Sequence, residues 1–436
     1  MKDEPLLARL MAFLDGSPTP FHATANLAGL LSDAGFTALD ETDTWRLEPR
    51  RGYFVVRADA SIVAFRLGDD AGDGLRMAGA HTDSPCLKLK PNPHRQGSGY
   101  RQFGVEVYGG VLLNPWFDRD LSLAGRVTVR TGEGRLANRL VDFREPIAIV
   151  PSLAIHLDRE ANESRSINAQ TMLPPVVALT CEDETPLADL LLERIEIESG
   201  GPAKALLDFD LSLYGTQPAA VVGLKREFVA SARLDNLLSC FAAITALIET
   251  QSPYGCLVVC NDHEEVGSGS AAGARGNFLE SVLTRIAGDA ETLARMTQSS
   301  LLVSTDNAHG VHPNFAAKHD DAHGPLINAG PVVKVNANQA YASSGETGAV
   351  ARSLADAAGV PLQSFVSRAD MGCGSTIGPL TATRLGVRTV DIGVPTFAMH
   401  SIRELAGCDD VNYLCALLSA LFAAEDISVA PTRSHR

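Results

Sequence analysis

The sequence predicts an α/β fold with a β-rich segment set into it, and three observations carry that expectation. Short apolar runs at 75–80, 256–260, 300–305 and 387–392 read as buried strands. Stretches with apolar residues at helical spacing lie before, between and after them. From about Lys88 to Phe228 the texture changes to short β-like runs with Gly and Asn turns, such as 103–108 and 125–130. One helical run, 186–198, interrupts that stretch, and helices return after Ala230. The expected division is a discontinuous α/β unit, residues 1–87 and 230–436, interrupted by an inserted domain, residues 88–229.

Taken in order, Leu6, Leu7, Leu10, Met11 and Leu14 predict a first helix, which Ser17-Pro-Thr-Pro20 ends. A second helix is expected over about 22–33, closing near Gly35. Strands follow at 53–57 and 61–66, then a turn at 69–74, then the strand 75–80 that runs into His81-Thr-Asp83-Ser-Pro85. Asp235 precedes a strongly apolar helix, 237–248. The run 256–260 leads into Asn261-Asp-His-Glu264-Glu265 and a small-residue turn. Strand 300–305 ends at Asp306, and strand 387–392 leads to His400. Asp409 or Asp410 is expected to cap the last helix, which runs to about Ala424, and 427–436 reads as a loose tail.

Composition bounds the function. With 436 residues the chain is long enough for two domains. A net charge of -15 disfavours nonspecific binding to nucleic acid or to anionic membranes. No run of about 18 apolar residues predicts a membrane span. The first residues lack the basic and apolar regions of a secretion signal. The eight cysteines form no CxxC and read as reduced thiols. The expected location is the cytoplasm.

Chemistry-bearing residues gather where those strands end. His81 and Asp306 directly follow apolar runs, Glu265 follows one after a short loop, Asp235 opens a helix, and His400 lies in a loop after a strand. If the strands are parallel neighbours, all five side chains face one crevice outside their carboxyl ends. Two imidazoles and three carboxylates suit zinc, with cobalt or manganese as substitutes. They are enough for two ions if one carboxylate bridges, a known hydrolytic design. Glu264 is then left to act as general base. Asp83 is placed to accept the other imidazole N–H of His81. Singly, each residue has a blander role as cap or turn bond. Two competing signals are weaker: His263-Glu-Glu-Val-Gly267 lacks the second His of HExxH, and Cys373 has no assigned imidazole.

The chain resembles the aspartyl aminopeptidases, dinuclear zinc exopeptidases, nearly end to end. The motifs are Ser17-Pro-Thr-Pro-Phe-His22, His81-Thr-Asp-Ser-Pro85, Asn114-Pro-Trp-Phe-Asp-Arg-Asp120, Ala154-Ile-His-Leu-Asp-Arg159, Arg233-Leu-Asp-Asn236, Asp262-His-Glu-Glu-Val-Gly-Ser268, His312-Pro-Asn314, Gly330-Pro-Val-Val-Lys-Val-Asn336, Gly374-Ser-Thr-Ile-Gly-Pro379 and Ala398-Met-His-Ser-Ile-Arg-Glu404. The resemblance implies two zinc ions per subunit. His81 and Asp306 would serve different ions, Asp235 would bridge, Glu265 and His400 would complete the shells, and Glu264 would be the base. It further implies substrate contacts at His156, His309, Lys334 and Tyr341, with His156 reaching a neighbouring subunit's site. The insert would be a dimerisation domain and the assembly a dodecamer. The implied activity is removal of N-terminal residues, preferentially Asp or Glu, from peptides. On the residues alone, Lys334 reads as a surface lysine on a strand.

Overall fold

The computed structural model describes residues 4–69, 74–180, 185–199 and 203–430. Most of the expected turn at 69–74, and the end of the expected tail from 431, lie outside the described residues. The centre of the molecule is a nine-stranded sheet. Four of its strands lie side by side and parallel: Gly255–Asn261, Leu75–His81, Leu301–Thr305 and Arg388–Gly393. These are the four apolar runs read from the sequence. Ser61–Arg66 and Gly52–Arg57 extend the sheet on one side as an antiparallel pair, and Val332–Val335 with Gln363–Val366 extends it on the other.

Period-two alternation sends successive side chains of the central strands to opposite faces. Ala78, Ala80, Val258 and Cys260 join a core with the helices Leu234–Glu249, Cys408–Ala423, Glu4–Asp15, Pro20–Asp33 and Gly345–Ala358. Met77, Leu257 and Val259 face Phe278, Val282 and Met296 on the helices Phe278–Ala287 and Ala290–Ser299. Both faces are covered, which is why the parallel strands read as continuous apolar runs rather than alternating ones.

The stretch between the strands Leu75–His81 and Gly255–Asn261 builds its own antiparallel six-stranded sheet. It includes Cys86–Gly97, Tyr100–Tyr108, Leu121–Thr131 and Ala203–Gly215. Its own core contains Leu87, Phe103, Trp116, Leu121, Val127 and Leu213, with Leu187, Leu191 and Ile195 from the helix Leu187–Ser199. The first and last long strands pair directly, Leu87 opposite Leu213. A small third sheet joins Phe228–Ser231, Glu404–Gly407, Pro395–Phe397 and Ala308–His309 beside the crevice.

Two helix starts differ from the sequence expectation. The second helix starts at Pro20, two residues before the expected start, because proline suits the first helical turn. The last helix is not capped by Asp409 or Asp410: both lie in its first turn, and the cap position is Gly407. The Asp410 carboxylate is engaged elsewhere, accepting from the Asn328 and Gly330 backbone amides at 2.6 and 2.9 Å. Among the described residues no helix is long and apolar enough to cross a membrane.

Candidate metal centre

Parallel pairing puts His81 opposite Asn261 at one level of the sheet, so the loop carrying Glu264 and Glu265 emerges beside the histidine. Asp306 leaves the neighbouring strand at the same end, its amide bonded to the Ile392 carbonyl at 3.0 Å. A Cβ at Gly393 would collide with the Asp306 carbonyl, so glycine there permits the approach of the two strand ends. Arg233, His263 and His400 all take left-handed backbone, with φ of 60°, 64° and 68°. Such conformations concentrate where side chains must be aimed.

The Asp235 carboxylate lies between two imidazoles. His81 Nε2 is 3.4 Å from Asp235 Oδ1, and His400 Nε2 is 3.4 Å from Asp235 Oδ2. Each imidazole also faces a carboxylate of its own: Asp306 Oδ1 is 3.5 Å from His81, and Glu265 Oε2 is 3.4 Å from His400. Ligand atoms of His81, Asp235 and Glu265 all lie within 4.8 Å of one another. Asp235 Oδ1 and Glu265 Oε1 are buried without a hydrogen-bond partner. Buried carboxylate oxygens need a cation or donors, and this nitrogen and oxygen donor set suits zinc. His81, Asp235, Glu265, Asp306 and His400 thus fit the group the sequence implied.

The charges of the metal-free cluster lean on one another. Burial opposes a charged His81, yet Asp235, Asp306 and Asp83 push it well above the usual imidazole range. Burial likewise opposes His400, and Asp235 with Glu265 raises it to about 9. Burial works against an ionised Asp235, but His400 and His81 hold it low. Burial drives Glu265 well up, and the Asp235 charge adds to this. Glu264 is pushed up to about 7 by burial; the His81 charge opposes this, and Asp306 and Asp83 add to it.

Asp83 meets the other imidazole nitrogen of His81, as expected, and takes a second task. The His81 Nδ1 bonds most closely to the Asp83 carbonyl, at 3.1 Å, with the carboxylate farther at 3.4 Å. The carboxylate instead accepts from the Glu264 and Glu265 amides, each at 3.1 Å, and from the Tyr108 hydroxyl at 2.6 Å. It fixes the backbone of both glutamates. His263, next to Glu264, turns away and bonds the Ser270 hydroxyl at 2.9 Å.

Lys334 is not a surface lysine. It is 2% exposed, with Nζ 3.2 Å from Asp306 Oδ2 and 5.3 Å from the Tyr341 ring centre. Tyr341 is buried beside Phe365, and burial raises its hydroxyl pKa, with Cys373 adding to this. His309 sits edge-on to the same Phe365, at 6.1 Å between ring centres, with its side chain exposed. His156 is different: it is exposed on a turn beyond the second sheet, and no hydrogen bond or ion pair joins it to the cluster among the described residues.

Glu404 is the residue that sequence reasoning left without a role. It is 2% exposed and accepts from the Asp235 amide at 2.8 Å and the His400 amide at 2.7 Å, one with each oxygen. Burial raises its pKa to about 8, and the Asp235 charge adds to the rise. Its only sequence signal was its place at the end of the motif containing His400.

The family described as Aminopeptidase I zinc metalloprotease (M18) matches residues 13–422. The chain is 57% identical over 427 residues to "Probable M18 family aminopeptidase 2" of Pseudomonas fluorescens (strain SBW25), covering 97% of this chain and 99% of the relative. Among solved structures, it matches a chain of the Ape4 and Nbr1 complex with TM-score 0.93 and 40% identity, covering 96% of this chain and 85% of that one. It matches the S. cerevesiae mApe1 dodecamer with TM-score 0.83 and 29% identity, covering 95% of each chain. Likeness over nearly the whole length, in sequence and in fold, makes this chain a member of the M18 family, a zinc-dependent aminopeptidase.

Proposed function

We propose that the enzyme holds two zinc ions per subunit and removes N-terminal residues, preferentially Asp or Glu, from peptides. The observation that carries the two-ion reading is the Asp235 carboxylate, which presents one oxygen to each of two imidazoles that each have a further carboxylate. In this reading His81 and Asp306 would hold one ion rather than the different ions the resemblance implied, because they lie 3.5 Å apart; His400 and Glu265 would hold the other, and Asp235 would reach both. Bound zinc supplies Lewis acidity toward the scissile carbonyl and the attacking water. Glu264, unclaimed as a ligand and held at its amide by Asp83, takes the water's proton and delivers it to the leaving amine.

The acidic preference rests on Lys334. A substrate carboxylate entering a protein of net charge -15 needs a local cation to offset its desolvation. A buried ammonium beside Asp306 is so placed, with Tyr341 and His309 around it.

Residues 88–229 are proposed as the dimerisation domain. Leu153, Ile155 and Leu157 are 58%, 47% and 75% exposed around His156. An exposed apolar stretch of this kind suits burial against another copy. The mApe1 relative is described as a dodecamer, which supports the same assembly here, with His156 completing a neighbour's site. The chemistry is placed in the cytoplasm.

The test is a panel of dipeptides varied at the first residue, run on wild type and Lys334→Met with zinc measured in parallel. Two zinc per chain are expected, with kcat/KM highest for Asp and Glu and that advantage lost in the variant. A leucyl preference in wild type would overturn the specificity reading, and one zinc per chain the dinuclear one.

A further inference from the structure

The metal ligands are steadied by a short stretch that belongs to the second sheet rather than to the nine-stranded one. The strand Tyr100–Tyr108 leaves its sheet at Tyr108, and the next four residues run past the cluster. Tyr108 donates its hydroxyl to Asp83 Oδ2 at 2.6 Å, the same carboxylate that fixes the amides of Glu264 and Glu265. Gly109 takes φ of +73°, and a Cβ there would lie 3.1 Å from the Glu265 Cβ. The Gly110 carbonyl is 3.0 Å from His400 Nδ1. The Leu112 amide donates to the His400 carbonyl at 3.1 Å.

We propose that Tyr108–Leu112 is a positioning strap through which the inserted segment sets both the metal affinity and the turnover of the peptidase site. The proposal rests on the ligand and base roles given above. A carbonyl can only accept, so the Gly110 oxygen requires the proton on His400 Nδ1. That leaves the lone pair on Nε2, which faces Asp235 and Glu265. Such bonds fix which imidazole nitrogen coordinates and how the ring is turned. Tyr108 acts through a different residue. Among the described residues its hydroxyl is the side-chain donor that the inserted segment offers to the Asp83 carboxylate, and Asp83 in turn holds the backbone of Glu264 and Glu265. One strap therefore acts by two routes. The glycine carbonyl acts on the ligand His400, and the tyrosine hydroxyl acts through Asp83 on the base Glu264 and the ligand Glu265 together.

The two variants that separate them are conservative. Tyr108→Phe keeps the ring, which packs 6.4 Å from His263 between ring centres and lies under Lys88, and removes only the hydroxyl. Gly110 lies outside the left-handed region, so Gly110→Ala carries no backbone penalty of that kind. The new Cβ would sit 3.2 Å from His400 Nδ1 and 3.6 Å from Cε1, so the ring must give by a few tenths of an ångström.

The experiment measures zinc affinity by chelator competition, the visible spectrum of the cobalt(II)-substituted enzyme, and kcat and KM on one good dipeptide. Gly110→Ala is expected to weaken zinc binding about 10–100-fold, the usual effect of disturbing an outer partner of a ligand, and to shift the cobalt spectrum. Tyr108→Phe is expected to lower kcat about 10-fold, the low end of the same range, with a smaller loss of zinc affinity than Gly110→Ala because Asp83 keeps its backbone donors. Wild-type affinity and spectrum in Gly110→Ala, or wild-type kcat in Tyr108→Phe, would overturn the strap. If Gly110→Ala does not fold, Tyr108→Phe decides the matter alone. His400→Ala is run alongside: if it keeps both zinc equivalents, the ligand reading has failed instead.

Discussion

Glu404→Gln isolates what the buried carboxylate contributes. The glutamate accepts from the amides of Asp235 and His400, one with each oxygen, at 2.8 and 2.7 Å. Glutamine preserves shape but turns one of those oxygens into an NH₂ group, so a donor then faces a backbone donor. One hydrogen bond is lost and a buried amide donor is left facing a donor, together worth about 1–3 kcal/mol. The strands on either side keep their own ladder bonds, Glu404 opposite Ser231 among them. The loss is therefore expected as local loosening around the two ligands rather than collapse of the sheet. Apparent metal affinity falls with the fraction of molecules that hold the binding arrangement. At about 1.4 kcal/mol per tenfold, a loss of about 1–3 kcal/mol corresponds to roughly 5–140-fold weaker zinc binding. Chelator competition gives the affinity, and thermal unfolding of the metal-free protein gives the global cost. Zinc binding within threefold of wild type, at unchanged kcat, would refute the reasoning.

Glu264→Gln should retain both zinc ions and lose about 10²–10⁴-fold in kcat, since it removes a base and no ligand; a fully metallated variant with near-normal turnover would contradict this. The metal-free protein should melt at progressively lower temperature from about pH 5 to pH 9. Glu264, Glu265, Glu404, His81 and His400 all have raised pKa values, so the folded state holds their protons more firmly than the unfolded chain does. That stabilisation is complete below the unfolded values and disappears as pH rises through the folded ones; the lowered Asp83 and Asp235 lose theirs only in acid, outside this window. Zinc competes with the same protons, so its stabilising effect should grow with pH, and a metal-free protein that gains stability across the range would show the sign is wrong. Mixed oligomers of His156→Ala and Glu264→Gln subunits should recover activity that neither variant has alone, and none would be seen if each chain completes its own site.

The five ligand candidates were legible because each follows an apolar run, directly or through a loop, or opens a helix, and parallel pairing then brings those strand ends together. What remained hidden depends on register and depth. Lys334 looks like a strand surface residue until Val332–Val335 is placed within the sheet and its side chain is seen to be buried. Glu404 could not be distinguished from an ordinary strand residue, because one of its bonds goes to the Asp235 amide far away in sequence and the other to the His400 amide across a loop. Tyr108 and Gly110 lie in the inserted segment, where nothing in the local pattern points toward a metal. The cap misassignment has the same origin: Asp410 is a good capping residue by type, but the amides of Asn328 and Gly330 claim it.

The pairing of Leu87 with Leu213 has a consequence for how the chain reaches this state. The central strands Leu75–His81 and Gly255–Asn261 are neighbours in the sheet, although residues 82–254 lie between them. Joining them across a flexible loop of about 170 residues costs roughly 4.5 kcal/mol in the length-dependent part of the closure entropy. Once the inserted sheet has formed, its two ends already run side by side, and the loop that remains, residues 82–86 with 214–254, is about 45 residues on the same scale, near 3.4 kcal/mol. The favoured route on the ribosome and in refolding is then for the insert to fold first and act as a clasp. The catalytic crevice closes afterwards, so metal uptake reports completion of the whole chain rather than of the peptidase sheet alone.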